Sequence, residues 1–200
     1  MEYFIICSAC YLIGSIPFGY IIAKIFAGID IRSVGSNNIG ATNVARVLGF
    51  WGFVSVFLLD MLKGFLPVLY LKNQYGDNKI VLIAVLCIIL GHMYTIYLKF
   101  KGGKGVASAV GVYLALDPIG ALYALILFSI IVSLFKMISL GSILSSIFIL
   151  VYSLSMSDWV EFKIFIAVLV FFIVYKHREN IKRILSGTEN KIGVKIDKTT

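Results

Sequence analysis

Apolar residues run along this chain in stretches near 20 residues long, separated by short segments where glycine, asparagine, serine and basic residues concentrate. A run of about that length is what an α-helix needs to cross roughly 30 Å of hydrocarbon. The pattern predicts seven helices, at about 3–25, 51–71, 79–98, 104–116, 119–136, 139–156 and 160–176. The fourth is short for a full crossing. Gly102-Gly103 precedes it and Asp117-Pro118 ends it, because proline disfavours helix at the residue before it. That helix must tilt or pack against neighbours instead of facing lipid along its length. Ser139 and Ser142 fall at the start of the sixth helix, where a serine can cap free backbone amides. The first run has no basic start and no small-residue cleavage site, and it is long enough to span, so it reads as a retained helix.

Composition sharpens this picture. Of 200 residues, 60% are hydrophobic and only 14% charged, with a mean hydropathy of +0.98, where a soluble domain is about a quarter charged. The expectation is an all-α polytopic transmembrane bundle: one domain over 1–191, then a basic tail at 192–200 whose composition marks it for disorder. With seven alternating crossings, fourteen of the 18 lysines and arginines fall on one side and three on the other, with Lys63 inside the second helix. The basic side is the cytoplasmic one, so the amino terminus is expected outside and the carboxyl terminus in the cytoplasm. The net charge of +8 then belongs to loops that meet anionic lipid, and nucleic acid is not an expected partner. Cys7, Cys10 and Cys87 lie in apolar spans as small buried residues, not as a disulfide framework. An odd number of spans and unrepeated polar clusters argue against two equal transporter halves.

Three polar clusters land on the cytoplasmic face. In the first, Gly35 to Arg46, glycines let backbone approach a ligand, Ser36, Asn38, Thr42 and Asn43 offer hydrogen bonds, and Arg46 offers a planar fork suited to phosphate. Its amides can form a nest around an anion. The second, Gly102-Gly103-Lys104-Gly105, opens the fourth helix, where free amides and a lysine favour negative charge. It lacks the upstream glycine and the Ser/Thr of an ATP-binding P-loop. His92, near the end of the third helix, serves either a helix–helix hydrogen bond or a substrate. The third cluster carries His177, Arg178, Asn180, Lys182 and Arg183. His177 and Asn180 share a face if the helix continues, and the last two basic residues serve equally as topology anchors. Asp60 and Lys63 lie mid-span at i, i+3 spacing. A lone charge there costs about 2.5–3.5 kcal/mol, so they form either a structural ion pair or a pair of substrate groups. No serine–histidine–acid set, no His-x-x-x-x-Asp pattern and no metal-ligand cluster is visible, so neither metal nor cofactor is expected.

Together these clusters resemble the bacterial membrane family of acyl-phosphate:glycerol-3-phosphate acyltransferases. The resemblance rests on Gly35-Ser36 with Asn38-Ile39-Gly40-Ala41-Thr42-Asn43 and Arg46, on Gly91-His92 with Phe100 to Val106, and on His177 to Arg183 with Gly187 and Glu189. Gly14-Ser15-Ile16-Pro17 and Asp60-x-x-Lys63-Gly64 are further shared features, and Ile39 stands where proline is common. The resemblance covers essentially the whole chain. It implies seven spans, a place in the bacterial cytoplasmic membrane with the active site facing the cytoplasm, and an early step of phospholipid synthesis. That step moves a fatty acyl chain from acyl phosphate to the 1-position of glycerol 3-phosphate, giving lysophosphatidic acid and phosphate. On this reading Ser36, Arg46, Lys104 and His177 hold the glycerol-phosphate anion, while Asn180 and Ser142 orient its hydroxyls. Amides around Gly40, Ala41, Thr42 and Asn43 and at Gly102-Gly103 cradle the acyl phosphate, with Asn38 and His92 as further substrate-binding candidates. The base is either His177 or a substrate phosphate. Acyl phosphate, glycerol 3-phosphate and membrane lipid are the expected partners, together with the enzyme that makes the acyl phosphate. A transporter or channel for an organic phosphate is the main rival, and a non-catalytic scaffold a third reading. The polar residues stop at one face apart from Asp60 and Lys63, which disfavours a through-going path.

Overall fold

The computed structural model describes residues 1–192, so the expected tail lies outside the described residues except at Ile192. Among the described residues every regular element is helical. The chain divides into two compact units, one covering Met1–Pro118 and the other beginning at Ile119.

In the first unit the expected single helix over 3–25 is two: α1, Glu2–Ser15, and α2, Phe18–Ala27. Pro17 has no amide hydrogen and breaks the ladder between them. Ser15 O and Ile16 O at that break are reached from elsewhere in the unit, the latter also accepting from Phe18 N–H at 3.2 Å. Thr95 Oγ1 donates to Ser15 O at 2.6 Å, and Lys63 Nζ donates to Ile16 O at 2.7 Å. α3, Ala41–Tyr75, is two helical segments joined at Gly49: the apolar one starts close to the expected 51, and an added one from Ala41 makes the second half of the first polar cluster helix and not loop. Gly49 sits inside α3 at φ +67°, ψ −156°, resetting the helix axis before the apolar stretch starts. α4, Lys79–Met93, and α5, Val106–Leu116, complete the unit.

α1 packs on α4, and α3 packs on α5. Both pairs meet at glycines. A side chain on Gly14 would overlap Ile88 backbone, and one on Gly91 would overlap Tyr11 O. Likewise Gly64 lies against Ser108 O and Gly111 against Met61 O. Between apolar helices in lipid, such close backbone approach supplies the packing that water would otherwise drive. Beside these pairs, a core of Ile22, Ala23, Ile31, Ile39, Val44 and Val56 anchors the first polar loop.

The second unit holds α6, Pro118–Phe135, α7, Ile138–Met156, α8, Val160–Lys176, and α9, Arg178–Leu185. α7 packs on α8. Lys136, at φ +59°, turns the chain between α6 and α7, and its carbonyl accepts from Ile192 N–H at 2.8 Å. The helix break at His177 (φ −97°, ψ 5°) separates α8 from α9.

Five helical stretches are long and apolar enough to cross a membrane: Glu2–Ala27, Ala41–Tyr75, Lys79–Leu98, Pro118–Phe135 and Ile138–Met156. α5 has 11 residues and α8 has 17. At 1.5 Å per residue α8 is about 25 Å long. Phe4, Trp51, Leu134 and Phe171 are exposed on these helices, as side chains solvated by lipid would be.

Candidate functional site

In the first unit the 35–46 segment is tied shut by one side chain. Asn43 is buried, and its Nδ2 donates to Ile31 O (3.0 Å), Val34 O (3.0 Å) and Asn38 O (2.9 Å) while Oδ1 accepts from Ser36 N–H (2.9 Å). Asn38 Oδ1 accepts from Gly40 N–H at 2.9 Å. Asn43 and Asn38 therefore shape the loop, and the Gly40 amide is already engaged. The Ala41 and Thr42 amides open α3 and meet no acceptor among the hydrogen bonds of the described residues. They are the donors this loop presents to an anion. Gly35, at φ +61°, lies under Arg46, whose Nη1 stands 3.0 Å from where a Cβ would project. Only glycine fits both the left-handed backbone and the overlying guanidinium.

Ahead of this loop, Asp30 caps a 3₁₀ turn, Ile31–Ser33, by accepting from Arg32 N–H at 3.0 Å, and Arg32 also grips the carboxylate at 2.6 Å. The Arg32 hydrogen bonds hold the Asp30 carboxyl down at about 2.

The second polar loop is clamped against the end of α4. Phe100 N–H donates to Thr95 O at 2.8 Å, and Lys99 and Phe100 are both left-handed, at φ +53° and +62°. Two consecutive non-glycine residues in that region store backbone strain. Gly103 N–H donates to His92 O at 3.0 Å, so that amide is not a free anion donor. A side chain at Gly103 would overlap His92 Nε2, and one at Gly102 would overlap His92 O. Both glycines are required by close approach to α4. Lys104 follows, half-buried, one residue before Gly105 (φ +85°), which opens α5.

Asp60 and Lys63 form a buried ion pair at 2.7 Å, as one of the two sequence readings had it. His92, also buried, joins them with Nδ1 at 3.6 Å from Asp60 Oδ1 and 3.3 Å from Ser108 Oγ. Its place near a third group was not legible in the i, i+3 spacing.

In the second unit, His177 and Asn180 are both buried, His177 at the break that opens α9 and Asn180 in its first turn. His177 Nδ1 lies 2.7 Å from Ile173 O. A carbonyl only accepts, so Nδ1 carries the hydrogen and Nε2 is the basic nitrogen. Asn180 Nδ2 donates to Glu189 Oε1 at 2.7 Å, Ser139 Oγ donates to the same oxygen at 2.9 Å, and Arg183 Nε donates to Oε2 at 2.8 Å. Glu189 thus gathers three donors from two helices. Ser139 does not cap α7 and neither does Ser142, whose hydroxyl donates to Ile138 O at 2.9 Å. The capping expectation for these serines fails because both hydroxyls have acceptors outside the helix's first amides. Sequence reasoning noted Glu189 only as part of a motif; an isolated acid in a basic segment was the available signal.

The family model for glycerol-3-phosphate acyltransferase matches residues 4–187. A glycerol-3-phosphate acyltransferase of Acholeplasma laidlawii is 40% identical, over 96% of this chain and 92% of that one. Two crystal structures of PlsY, an integral membrane glycerol 3-phosphate acyltransferase, are similar across 96% of both chains. The glycerol 3-phosphate form has a TM-score of 0.93 at 41% identity, and the lysophosphatidic acid form 0.90 at 40%.

Proposed function

The chain belongs to the glycerol-3-phosphate acyltransferase family, and from that premise we propose that it moves a fatty acyl group from an acyl phosphate to the 1-hydroxyl of glycerol 3-phosphate. We place it in the bacterial cytoplasmic membrane with seven crossings, its amino terminus outside and its polar loops in the cytoplasm. The bias of basic residues supports that orientation. The hydroxyl oxygen bonds to the acyl carbonyl carbon, the bond from that carbon to the phosphate oxygen breaks, and lysophosphatidic acid and inorganic phosphate leave. The leaving group is already good, so the reaction needs no covalent acyl-enzyme. Orientation and charge stabilisation carry the rate.

The observation that carries this reading is the pairing of two tightly folded glycine loops with one basic side chain each, Arg46 over Gly35 and Lys104 ahead of α5. Arg46, Lys104 and Ser36 bind the phosphate of the acceptor, and the Ala41 and Thr42 amides bind the acyl phosphate. Asn38, Asn43, Gly40, Gly102 and Gly103 shape the loops that present these groups. His177 Nε2 is positioned as a base by the Nδ1–Ile173 contact, with a substrate phosphate as the other proton acceptor. Asn180 and Ser142 contribute to acceptor orientation.

The test is the purified full chain in lipid with palmitoyl phosphate, palmitoyl-CoA or palmitoyl acyl carrier protein as donor. Lysophosphatidic acid is expected from the acyl phosphate alone, and product only from either thioester overturns the donor assignment. Lys104→Ala is expected to lose at least tenfold in kcat/KM, about the value of one phosphate-binding charge-assisted hydrogen bond. Near-normal turnover of His177→Gln would leave the substrate phosphate as the base.

A further inference from the structure

Asp60 and Lys63 would need only each other if their purpose were to neutralise charge in the membrane. The structure instead extends the pair at both ends. Lys63 Nζ reaches Ile16 O at 2.7 Å, a carbonyl at the Pro17 break that also accepts from Phe18 N–H. Asp60 Oδ1 meets Lys63 at 2.7 Å and faces His92 Nδ1 at 3.6 Å, yet no donor meets that oxygen in hydrogen-bond geometry. The carboxylate is held by charge, which fixes distance without fixing a single partner.

His92 is the point where this buried chain meets the second polar loop. Its carbonyl accepts from Gly103 N–H, its ring occupies the space a Gly103 side chain would need, and its Nδ1 lies 3.3 Å from Ser108 Oγ on α5. The imidazole therefore touches the loop just before Lys104 and the helix just after it. Moving the ring by an ångström moves both flanks of Lys104.

We propose that Asp60, Lys63 and His92 are positioning residues that fix the Lys104 loop against α4 and so set the affinity for the phosphorylated acceptor. This deepens the function proposed above and rests on Lys104 binding that phosphate. None of the three touches substrate in this scheme. Their work is to hold a strained loop at one place, with the carboxylate steering His92 and the lysine steering the carboxylate. Such coupling is read as an interaction energy between His92 and Lys104.

The experiment uses the full chain in lipid nanodiscs, with kcat and KM measured separately for glycerol 3-phosphate and palmitoyl phosphate. His92→Ala is expected to raise the glycerol 3-phosphate KM about tenfold, with kcat and the palmitoyl phosphate KM within about threefold of wild type. His92→Asn, which restores a polar group near the Nδ1 position, should recover most of that loss. Ser108→Ala should shift the same KM in the same direction by a smaller factor, and it leaves the ion pair intact. His92→Ala should add little to the acceptor KM of Lys104→Ala, because both act through one lysine. A fall in kcat with both KM values unchanged would overturn the proposal, as would equal rises in both KM values or full additivity with Lys104→Ala. A wild-type protein that makes no product from palmitoyl phosphate would instead sink the function. Wild-type activity with no acceptor-specific change in the His92 variants would sink only the positioning role.

Discussion

Helices of the first unit meet backbone to backbone, at Gly14 on Ile88, Gly91 on Tyr11, Gly64 on Ser108 and Gly111 on Met61, whereas those of the second meet through side chains. In the second unit a Cβ on Gly141 would meet Val132 Cγ2 at 2.7 Å and the Phe128 ring near 3.0 Å. The Tyr123–Tyr152 ring pair, at 6.0 Å, joins α6 to α7 in the same way. The polar anchors differ in the same way. The first unit spreads its buried charge over Asp60, Lys63, His92 and one backbone carbonyl, Ile16 O. The second gathers three donors on one carboxylate, Glu189. Close-packed backbones fix the separation of α1 from α4 and of α3 from α5, and a fixed separation lets a distributed charge network hold a loop in place. Side-chain packing tolerates adjustment, so the second unit needs a single strong acceptor to bind its last helix to α7.

If that contrast is right, the largest effect should come from Glu189→Ala. Removing one partner of a buried ionic contact costs about 3–5 kcal/mol. Because Arg183 is a third exposed, the lower end, about 3 kcal/mol, is expected by thermal unfolding in detergent. Glu189→Gln should cost roughly half as much, since an amide oxygen still accepts from Asn180 and Ser139 while its NH2 opposes Arg183. A loss under about 0.5 kcal/mol for the alanine variant would mean that the carboxylate is not what joins α9 to α7.

A smaller effect tests the packing half of the contrast. Gly111→Ala drives a methyl into Met61 backbone, which cannot rotate away, and about 2 kcal/mol is expected. Gly141→Ala meets side chains that can change rotamer, and less than about 1 kcal/mol is expected. Equal costs, measured by unfolding of the two variants side by side, would erase the distinction between the units.

Much of this architecture was legible because lipid imposes a length and a polarity on helices. The apolar runs near 119–136, 139–156 and 160–176 emerge with nearly those bounds, while the run near 79–98 ends as α-helix at Met93 and continues only as a 3₁₀ turn over Ile96–Leu98. The Asp60–Lys63 contact follows from helical spacing alone. What escaped depends on partners far away in sequence. Hydropathy carried one helix through Ile16-Pro17, where the chain breaks and Ser15 O and Ile16 O are met by Thr95 and Lys63. Polar Thr42, Asn43 and Arg46 disguised the first turns of α3 as loop, and Asn43 looked like a ligand until its side chain was found bonded to Ile31, Val34, Asn38 and Ser36. Ser139 looked like a cap because its acceptor lies 50 residues away. Local patterns locate polar residues; they do not tell whether a hydrogen bond is spent on the fold or kept for a ligand.

Two arginine–carboxylate pairs of nearly equal length offer the finest comparison. Arg32–Asp30 is 2.6 Å and Arg183–Glu189 is 2.8 Å, but Asp30 is 37% exposed where Glu189 is 5% exposed. The Arg32 hydrogen bonds lower the Asp30 carboxyl from 3.8 to about 2. A carboxyl lowered by folding stabilises the protein above its unfolded value and loses that contribution as pH falls through the folded one. Asp30→Asn should therefore be slightly less stable than wild type at pH 6, with the gap closing between about pH 4 and pH 2. With both side chains about a third exposed, solvent screening keeps the gap under about 1 kcal/mol, and added salt should shrink it further. Thermal unfolding in detergent at pH 6 and pH 2.5, each at low and high salt, measures it. A gap as large as that of Glu189→Ala, or one indifferent to pH and salt, would show that distance and not burial sets what such a pair is worth.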